Sequence, residues 1–241
     1  MRKICLLILV LLLCGFNNIQ KTFGEEEHKV KELTFKANIS DLWFKHENLN
    51  DDKTLEKKDK KDSSKTVEVA LPGEFYETPT KVNTVSKNKV DRNTTLGLVE
   101  SVFSAMKEGN LKWISENYVL EEEKTVKDAF KNKNDLKAAK QDFENIKSEH
   151  LLGHAIYKDS TLLFIEQEYN TGKKLVEIIA CKQTPKGWKM TNALVSDKTY
   201  DIVFAAVSKG EIIDGNKVLS KTTPQANEQV VPSIMPVIEI K

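Results

Sequence analysis

The hydrophobic period of the chain changes near residue 149, and that change constrains the fold most. Between residues 94 and 146, apolar side chains recur every three or four residues, as they do along one face of an α-helix. From Glu149 onwards they recur about every two residues, which is the spacing of β-strands. A block of helices followed by a block of strands predicts an α+β fold.

The helical block carries clear start and stop signals. In "TTLGLVESVFSAMKEGN", Thr94 or Thr95 can cap a helix, and Gly109 can end it in a left-handed conformation. A short helix around Trp113 follows, and then two helical stretches separated near Asn132. The apolar stripe of the first helix consists of Leu96, Val99, Phe103 and Met106. This spacing predicts helices that bury one face in the core.

The strand block reads as a series of hairpins. The runs "HLLGHAIY", "TLLFIEQEY", "KLVEIIACKQ" and "GWKMTNALV" are separated by the turn sequences "KDS", "NTGK" and "TPKG". They predict an antiparallel meander of four or more strands, with the preceding helices packed on its apolar face. The next stretch, "DKTYDIVFAAVSKG", suits either a terminal helix or a fifth strand. Its two alanines and the capping residues Asp197 or Thr199 favour the helix.

The first residues, "MRKICLLILVLLLCGFNN", have the order of an export signal. Arg2 and Lys3 precede an apolar run that is too short to span a bilayer. Cys14 stands where a bacterial lipoprotein carries its lipidated cysteine, although Leu13 occupies a position that usually holds a small residue. Residues 1–24 are therefore predicted to be a signal peptide or a lipoprotein-type leader. The protein is expected to be exported and periplasmic, extracellular or tethered to a membrane, and a lipid at Cys14 is the one membrane attachment considered.

The remaining chain divides into three parts. Residues 25–90 are rich in Lys, Glu and Asp and are predicted to be a mostly disordered charged linker. This linker contains a short apolar segment near 33–46, "LTFKANISDLWFKH", which either docks on the domain or binds a partner; docking is favoured. The α+β domain is expected at 91–208. An extended C-terminal tail at 209–241, interrupted by Pro232 and Pro236, follows it.

Composition excludes several classes of protein. The chain has 37 Lys and Arg against 36 Asp and Glu, so it lacks the concentrated basic face that nucleic-acid binding requires. Two of its three cysteines, Cys5 and Cys14, lie in the leader, which excludes a disulfide framework in a mature chain that lacks them. Cys181 lies in an apolar strand and is interpreted as a small buried hydrophobe.

The candidate polar residues lie on the predicted strands. They are His154, Tyr157, Glu166, Glu168 and Tyr169. Glu166 and Glu168 share a strand face and could act as acid and base, but a solvated face opposite Leu163, Ile165 and Gln167 is the favoured interpretation.

Metal and cofactor motifs are not found in the sequence. His150 and His154 are four residues apart, which on a strand separates them by about 13 Å, too far to bind one metal. There is no zinc motif, acidic calcium loop, phosphate-binding glycine loop or nucleophile elbow. We therefore assign no catalytic residue, no metal and no cofactor, and the binding residues stay unassigned.

Two stretches resemble the nuclear transport factor two-like superfamily. They are the opening helix "TLGLVESVFSAMKEGNLKWIS" and the late strand "TPKGWKMTN", and the likeness covers roughly residues 91–200. The resemblance implies a curved sheet that forms a cone-like domain with its helices. Enzymes of that superfamily such as ketosteroid isomerase hold an acid or base beside a hydrogen-bond donor inside the cone. No motif in this sequence maps those residues one by one, and the same fold hosts many activities.

These observations favour a secreted or envelope-tethered, non-catalytic binding domain for a small apolar ligand, a peptide or a partner protein. One alternative is a ketosteroid-isomerase-like or cyclase-like enzyme that uses His154, Tyr157 or a strand Glu in the cone pocket. The other is a scaffold or adaptor that presents its terminal apolar segments. The expected partner is a small molecule or an envelope protein, and nucleic acid is not expected.

Overall fold

The computed structural model describes residues 31–43, 65–215 and 217–221. These segments contain five α-helices and eight β-strands. The helices are α1 (Thr95–Glu108), α2 (Leu111–Glu116), α3 (Glu123–Ala129), α4 (Lys133–Glu144) and α5 (Lys198–Lys209). The strands are β1 (Glu32–Asn38), β2 (Thr66–Lys81), β3 (Ile146–Tyr157), β4 (Ser160–Tyr169), β5 (Lys174–Thr184), β6 (Gly187–Met190), β7 (Glu211–Asp214) and β8 (Lys217–Lys221).

All eight strands form one sheet, in the order β6-β5-β4-β3-β2-β1-β7-β8. Each pair of neighbours is antiparallel. Strands β3 to β6 are adjacent in chain order, which confirms the predicted meander. The combination of helices with an antiparallel sheet is an α+β architecture, as the change of hydrophobic period predicts.

The central strands contribute to two separate hydrophobic cores because successive side chains point to opposite faces. Leu163 and Ile165 belong to the first core, which we call the helical core because α1 to α4 supply most of its side chains. Leu162 and Phe164 belong to the second, the opposite core, which also contains side chains of β1, β2 and α5. Strand β4 therefore buries both of its faces.

Local signals set the ends of α1 and α5. The hydroxyl of Thr94 accepts a hydrogen bond from the Gly97 amide at 3.0 Å, and Gly109 ends α1 with a φ of 65°. The carboxylate of Asp197 accepts hydrogen bonds from the amides of Thr199 and Tyr200 at the start of α5. These caps confirm the predicted first helix and the helical interpretation of the stretch after Asp197.

Two strands lie before the predicted domain boundary at residue 91. Strand β1 pairs with β2 on one side and with β7 on the other, and its Leu33 and Phe35 are both 0% exposed. Of the apolar segment near 33–46, residues 33–38 belong to this internal strand and Ile39–Asp41 forms a short 3-10 helix, whereas residues 44–46 lie outside the described residues. Strand β2 falls within the range 25–90 that was predicted to be mostly disordered.

Strand β2 alternates between buried and exposed positions within a range whose overall composition is charged. Val67, Leu71 and Gly73 are buried, whereas Glu68, which follows Val67, and Glu74, which follows Gly73, are exposed. An alternating strand needs an apolar residue only at every second position, so its mean composition remains polar. The most charged part of the predicted linker, residues 44–64, lies outside the described residues.

The predicted C-terminal tail, 209–241, also begins inside the sheet. Strand β7 pairs with β1, and β8 pairs with β7. The folded domain consequently extends beyond the predicted bounds of 91–208 at both ends. The leader at 1–24, with Cys14, and the stretch 222–241 lie outside the described residues. In the segments that are described, no helix is long and apolar enough to cross a membrane.

Candidate functional site

Three polar side chains lie side by side on the sheet face that forms the helical core. They are Glu149 of β3, Gln167 of β4 and Glu177 of β5, and we call them the carboxylate cluster. Glu149 pairs directly with Gln167, and Glu177 pairs with Ile165, which is two residues from Gln167 on the same face. The three residues are 3%, 1% and 8% exposed, respectively. The cluster therefore places three polar side chains within a buried, mainly apolar region.

One amide connects the two carboxylates. Gln167 donates from Nε2 to Glu149 Oε1 at 2.8 Å and to Glu177 Oε2 at 3.4 Å. Its carbonyl oxygen accepts a hydrogen bond from the Tyr169 hydroxyl at 3.3 Å. Both amide hydrogens of Gln167 are thus directed at carboxylates, and this arrangement holds the three strands in a common polar network.

The second oxygen of Glu149 is the exceptional atom. Oε2 is buried and has no hydrogen-bond partner among the described residues, and we call it the open oxygen. Burial, together with the charge of Glu177, raises the pKa of Glu149 to about 8, against the opposing effects of Gln167 and Lys107. The carboxyl group is therefore largely protonated at neutral pH.

Charged groups on two helices affect the pKa values of Glu149 and of the neighbouring Tyr169. Lys107 of α1 donates to the Ile146 carbonyl at 3.3 Å, and its ammonium lies 4.5 Å from the centroid of the Phe103 ring. Asp142 of α4 acts on Tyr169, whose pKa is raised to about 12 by burial and by Glu177, Asp142 and Glu149. The cluster thus lies within electrostatic range of both α1 and α4.

Helix α4 buries few of its side chains. Of its 12 residues only Ala139 and Phe143 are buried, and the Phe143 ring lies 6.1 Å from that of Phe103. Just after the helix, the carbonyl of Asn145 accepts a hydrogen bond from the Asn170 amide in the β4–β5 turn at 2.9 Å. Few side chains therefore hold this helix over the helical core.

The two strand glutamates considered from the sequence lie on the other face of β4. Glu166 accepts a hydrogen bond from Lys174 at 2.9 Å, and Glu168 accepts one from Lys147 at 2.6 Å. Both carboxylates are partly exposed. Their geometry corresponds to the solvated face rather than to an acid–base pair.

The other sequence candidates occupy different places. The Nδ1 atom of His154 lies 3.3 Å from the Tyr76 hydroxyl, and burial lowers the pKa of this histidine. Tyr157 donates to Asp197 Oδ2 at 3.3 Å, at the start of α5. The structure therefore does not bring His154 and Tyr157 together with each other, whereas Tyr169, a further sequence candidate, contacts the carboxylate cluster.

Cys181 is a core residue in the structure. Its thiol donates to the Thr161 carbonyl at 3.3 Å, and burial raises its pKa to about 12. A thiol that stays protonated is a poor nucleophile. This geometry agrees with its interpretation as a small buried hydrophobe.

Glu149, Gln167 and Glu177 were not singled out as candidates from the sequence, although the sequence contains a signal for them. Each lies two residues from a buried apolar residue on its own strand: Leu151, Ile165 and Ile179, respectively. Polar residues in phase with the apolar positions of a strand point into the core. The sequence does not indicate the cross-strand register that places these three side chains next to one another.

Across the described segments, no group of three or more His, Cys, Asp or Glu side chains is arranged to hold a metal ion. No protein-family model, no curated protein and no solved structure matches this chain.

Proposed function

We propose that this chain is an exported, non-catalytic binding domain that holds a small, largely apolar molecule with one polar group in its helical core. The open oxygen of Glu149 carries the proposal. A buried polar atom without a partner in the described structure costs free energy, and a hydroxyl group on a ligand, which can donate or accept a hydrogen bond, would remove that cost. Ligand sites commonly combine an apolar lining with a few polar groups that fix orientation.

The proposal includes the cone-like shape implied by the resemblance to the nuclear transport factor two-like superfamily. Support comes from α1 to α4 and the meander strands, whose side chains together form the helical core. The carboxylate cluster occupies the sheet side of this core. A ligand would enter beside α4, the helix with only two buried residues.

Binding is tested with three neutral alcohols of different shape: benzyl alcohol, 1-hexanol and cyclohexylmethanol. NMR of the mature exported chain should show saturable changes in the Gln167 side-chain amide with at least one of them. Glu149→Leu should abolish these changes, and Glu168→Gln should leave them intact. Near-ultraviolet circular dichroism verifies that both variants are folded. Failure of all three alcohols would contradict the binding function.

Export is tested separately. The full chain is expressed in a bacterial host and fractionated, and the mature N-terminus and intact mass are determined. We expect cleavage between residues 14 and 25. An acylated Cys14 in the membrane fraction would define a tethered protein, whereas a free N-terminus in the soluble fraction would define a diffusible one. Retention of Met1 in the cytoplasm would contradict export.

A second candidate function, an isomerase-like or cyclase-like enzyme, is favoured by the pKa of about 8 at Glu149. A general base works best when its pKa lies near the working pH. In this interpretation the acid or base is a strand Glu, Glu149, rather than His154 or Tyr157. Deuterium exchange next to the carbonyl of cyclohexanone tests it: exchange that is catalysed by the wild type and lost in Glu149→Gln would favour the enzyme over the binding domain.

The third expectation, a scaffold that presents its terminal segments, has less support. Residues 33–36 pair on both sides within the sheet, so this part of the apolar segment is not available to a partner. The other segment, "VVPSIMPVIEI", lies outside the described residues.

A further inference from the structure

We infer that the carboxylate cluster binds a neutral ligand whose polar group only accepts a hydrogen bond, such as an ester or a tertiary amide on an apolar body, and that the open oxygen of Glu149 donates to it. This inference rests on the proposed binding function and names the ligand class of that same site. Two observations carry it: the burial of the Glu149 carboxyl group and the position of the hydrogen bond that this group accepts.

Burial indicates that Glu149 is neutral. The residue is 3% exposed, and its hydrogen-bond partner among the described residues is Gln167, which donates to Oε1 at 2.8 Å. An ionised carboxylate in such a place needs an ion pair or several hydrogen bonds, and without them it takes up a proton. Lys107 acts on Glu149, but its ammonium donates to the Ile146 carbonyl and lies over the Phe103 ring. A pKa of about 8, raised chiefly by burial, agrees with a neutral group at pH 7.

The hydrogen bond from Gln167 places the proton of Glu149 on the open oxygen. In a neutral carboxyl group, one oxygen is the carbonyl acceptor and the other carries the hydrogen that can be donated. Oε1 accepts the Gln167 amide, so Oε2 is the hydroxyl oxygen. This atom is buried and has no partner among the described residues. An acceptor on a ligand would therefore satisfy a buried O–H group and remove the cost of leaving it unpaired.

The side chains beside Glu149 do not supply that acceptor. The carbonyl oxygen of Gln167 accepts from the Tyr169 hydroxyl, and Glu177 accepts from Gln167 but is not a partner of the open oxygen. The charge of Glu177 raises the pKa of Glu149, so it also disfavours a second anion at this place. A ligand ammonium group, which only donates, offers nothing to an O–H group. A neutral acceptor is the class that fits.

Binding should weaken as Glu149 loses its proton, because only the protonated carboxyl group donates. Its pKa of about 8 means that the affinity should be nearly constant between pH 6 and pH 7 and about tenfold lower at pH 9 than at pH 7.

Other titratable groups around the cluster have been considered for this pH dependence. The charged groups that act on Glu149 or on the adjoining Tyr169 lie on α1, α4 and β5: Lys107, Asp142 and Glu177. Tyr169 keeps its proton up to pH 9, since its pKa is raised to about 12. His150, the neighbour of Glu149 on β3, acts on Glu168 on the other face of the sheet. A variant that removes only the Glu149 titration therefore identifies the group responsible.

The test uses N,N-dimethylbenzamide and N,N-dimethylbenzylamine, which have nearly the same size. The amide only accepts hydrogen bonds, whereas the amine is protonated at pH 7 and only donates them. Calorimetry of the mature exported chain at pH 7 measures both affinities, with benzyl alcohol as the reference for the proposed function. We expect the amide to bind about tenfold more tightly than the amine, or better.

Three variants locate the effect. Glu149→Gln replaces the hydroxyl with an N–H group that donates at every pH, so the affinity for the amide should stay within about threefold at pH 7 and no longer fall at pH 9. Glu149→Leu removes the donor and should lower this affinity about tenfold. Glu168→Gln, on the other sheet face, should keep both the affinity and its pH dependence. All variants are checked for cooperative unfolding at pH 7 and pH 9.

The outcomes separate this inference from the proposed function. If benzyl alcohol binds and the amide has no advantage over the amine, the ligand class is wrong and the binding function stands. Amide binding that is as tight at pH 9 as at pH 7, or that is unchanged in Glu149→Leu, also overturns the inference, since the donor then lies elsewhere. If neither the amide nor any of the three alcohols binds, both proposals fail.

Discussion

At the scale of single residues, Glu149 should make stability depend on pH. Its pKa rises from the ordinary value of 4.5 to about 8 in the folded chain. Between these values the folded state keeps a proton that the unfolded state has lost, so the free energy of unfolding falls as the pH rises. The fall is at most about 1.4 kcal/mol per pH unit. Urea unfolding at pH 5, 6, 7 and 8 should show this slope in the wild type and a much smaller one in Glu149→Gln.

A matched control is Glu168→Gln, which removes a carboxylate that is paired with Lys147. The Lys147 ammonium lowers the pKa of Glu168, so this group is largely ionised in both states above pH 5 and adds little slope there. The control should therefore follow the wild type. Equal slopes for wild type and Glu149→Gln would contradict the buried, protonated state of Glu149.

Gly153 marks a close approach between the backbones of β2 and β3. A Cβ atom at this position would lie 2.2 Å from the Glu74 carbonyl oxygen and 2.9 Å from the Cα of Phe75, both backbone atoms. The strands would have to separate, so Gly153→Ala should lower the free energy of unfolding by about 2 kcal/mol or more. Ser148→Ala, at a partly exposed position on the same strand, should cost much less, and urea unfolding measures both. Similar losses for the two variants would argue against the close approach.

At the scale of elements, α5 depends on its N-cap. One oxygen of Asp197 accepts the Thr199 amide at 2.8 Å and the Tyr200 amide at 3.2 Å, and the other lies 2.7 Å from the Lys158 ammonium. Asp197→Ala removes both interactions and should cost about 1 kcal/mol of stability, measured by urea unfolding. Asp197→Asn retains a capping oxygen but loses a surface ion pair, which contributes little, and the acceptor of the Tyr157 hydroxyl, so it should cost less than Asp197→Ala. A larger loss for Asn than for Ala would contradict the capping role.

The elements that the sequence predicts are those with local signals. Helix α1 has its cap and its stop in sequence, and β3 to β6 are joined by short turns. Strand β1 is different because Leu33 pairs with Leu71 on one side and with Asp214 on the other. No local sequence pattern indicates which distant strands pair with β1. Its alternation of Leu33, Phe35 and Ala37 does indicate a strand, but the charged sequence around it masked that signal.

The contacts within the carboxylate cluster also cannot be predicted from local sequence patterns. Sequence periodicity places Gln167 on the face of Leu163 and Ile165, which is the face that it occupies. Which of the strand carboxylates meets it depends on register, and β3 has irregular pairing between Ile146 and Ser148 and between Leu151 and Gly153. Counting residues from the β3–β4 turn does not reproduce such shifts. The contact between Gln167 and Glu149 therefore had to come from the structure.

At the scale of the whole molecule, the sheet extends beyond the bounds that the sequence predicts. A fragment of residues 91–208 would lack β1, β2, β7 and β8. The lost strands include Leu33 and Phe35, both fully buried in the opposite core, and Val67 and Leu71 beside them. Strand β3 would also lose the partner on its β2 edge. Without these contacts, the inner face of α5 and one face of β4 would lose part of their apolar cover.

We therefore expect the 91–208 fragment to be molten. It should keep far-ultraviolet circular dichroism, lose the near-ultraviolet signal, bind anilinonaphthalene sulfonate and give poorly dispersed amide resonances. A fragment of residues 31–221 includes all eight strands and should unfold cooperatively, with dispersed resonances. Cooperative unfolding of 91–208 would mean that β1 and β2 only dock on a domain that is stable without them. A molten 91–208 beside a cooperative 31–221 would make them part of the core, because burial of their apolar side chains would then be required for a fixed tertiary structure.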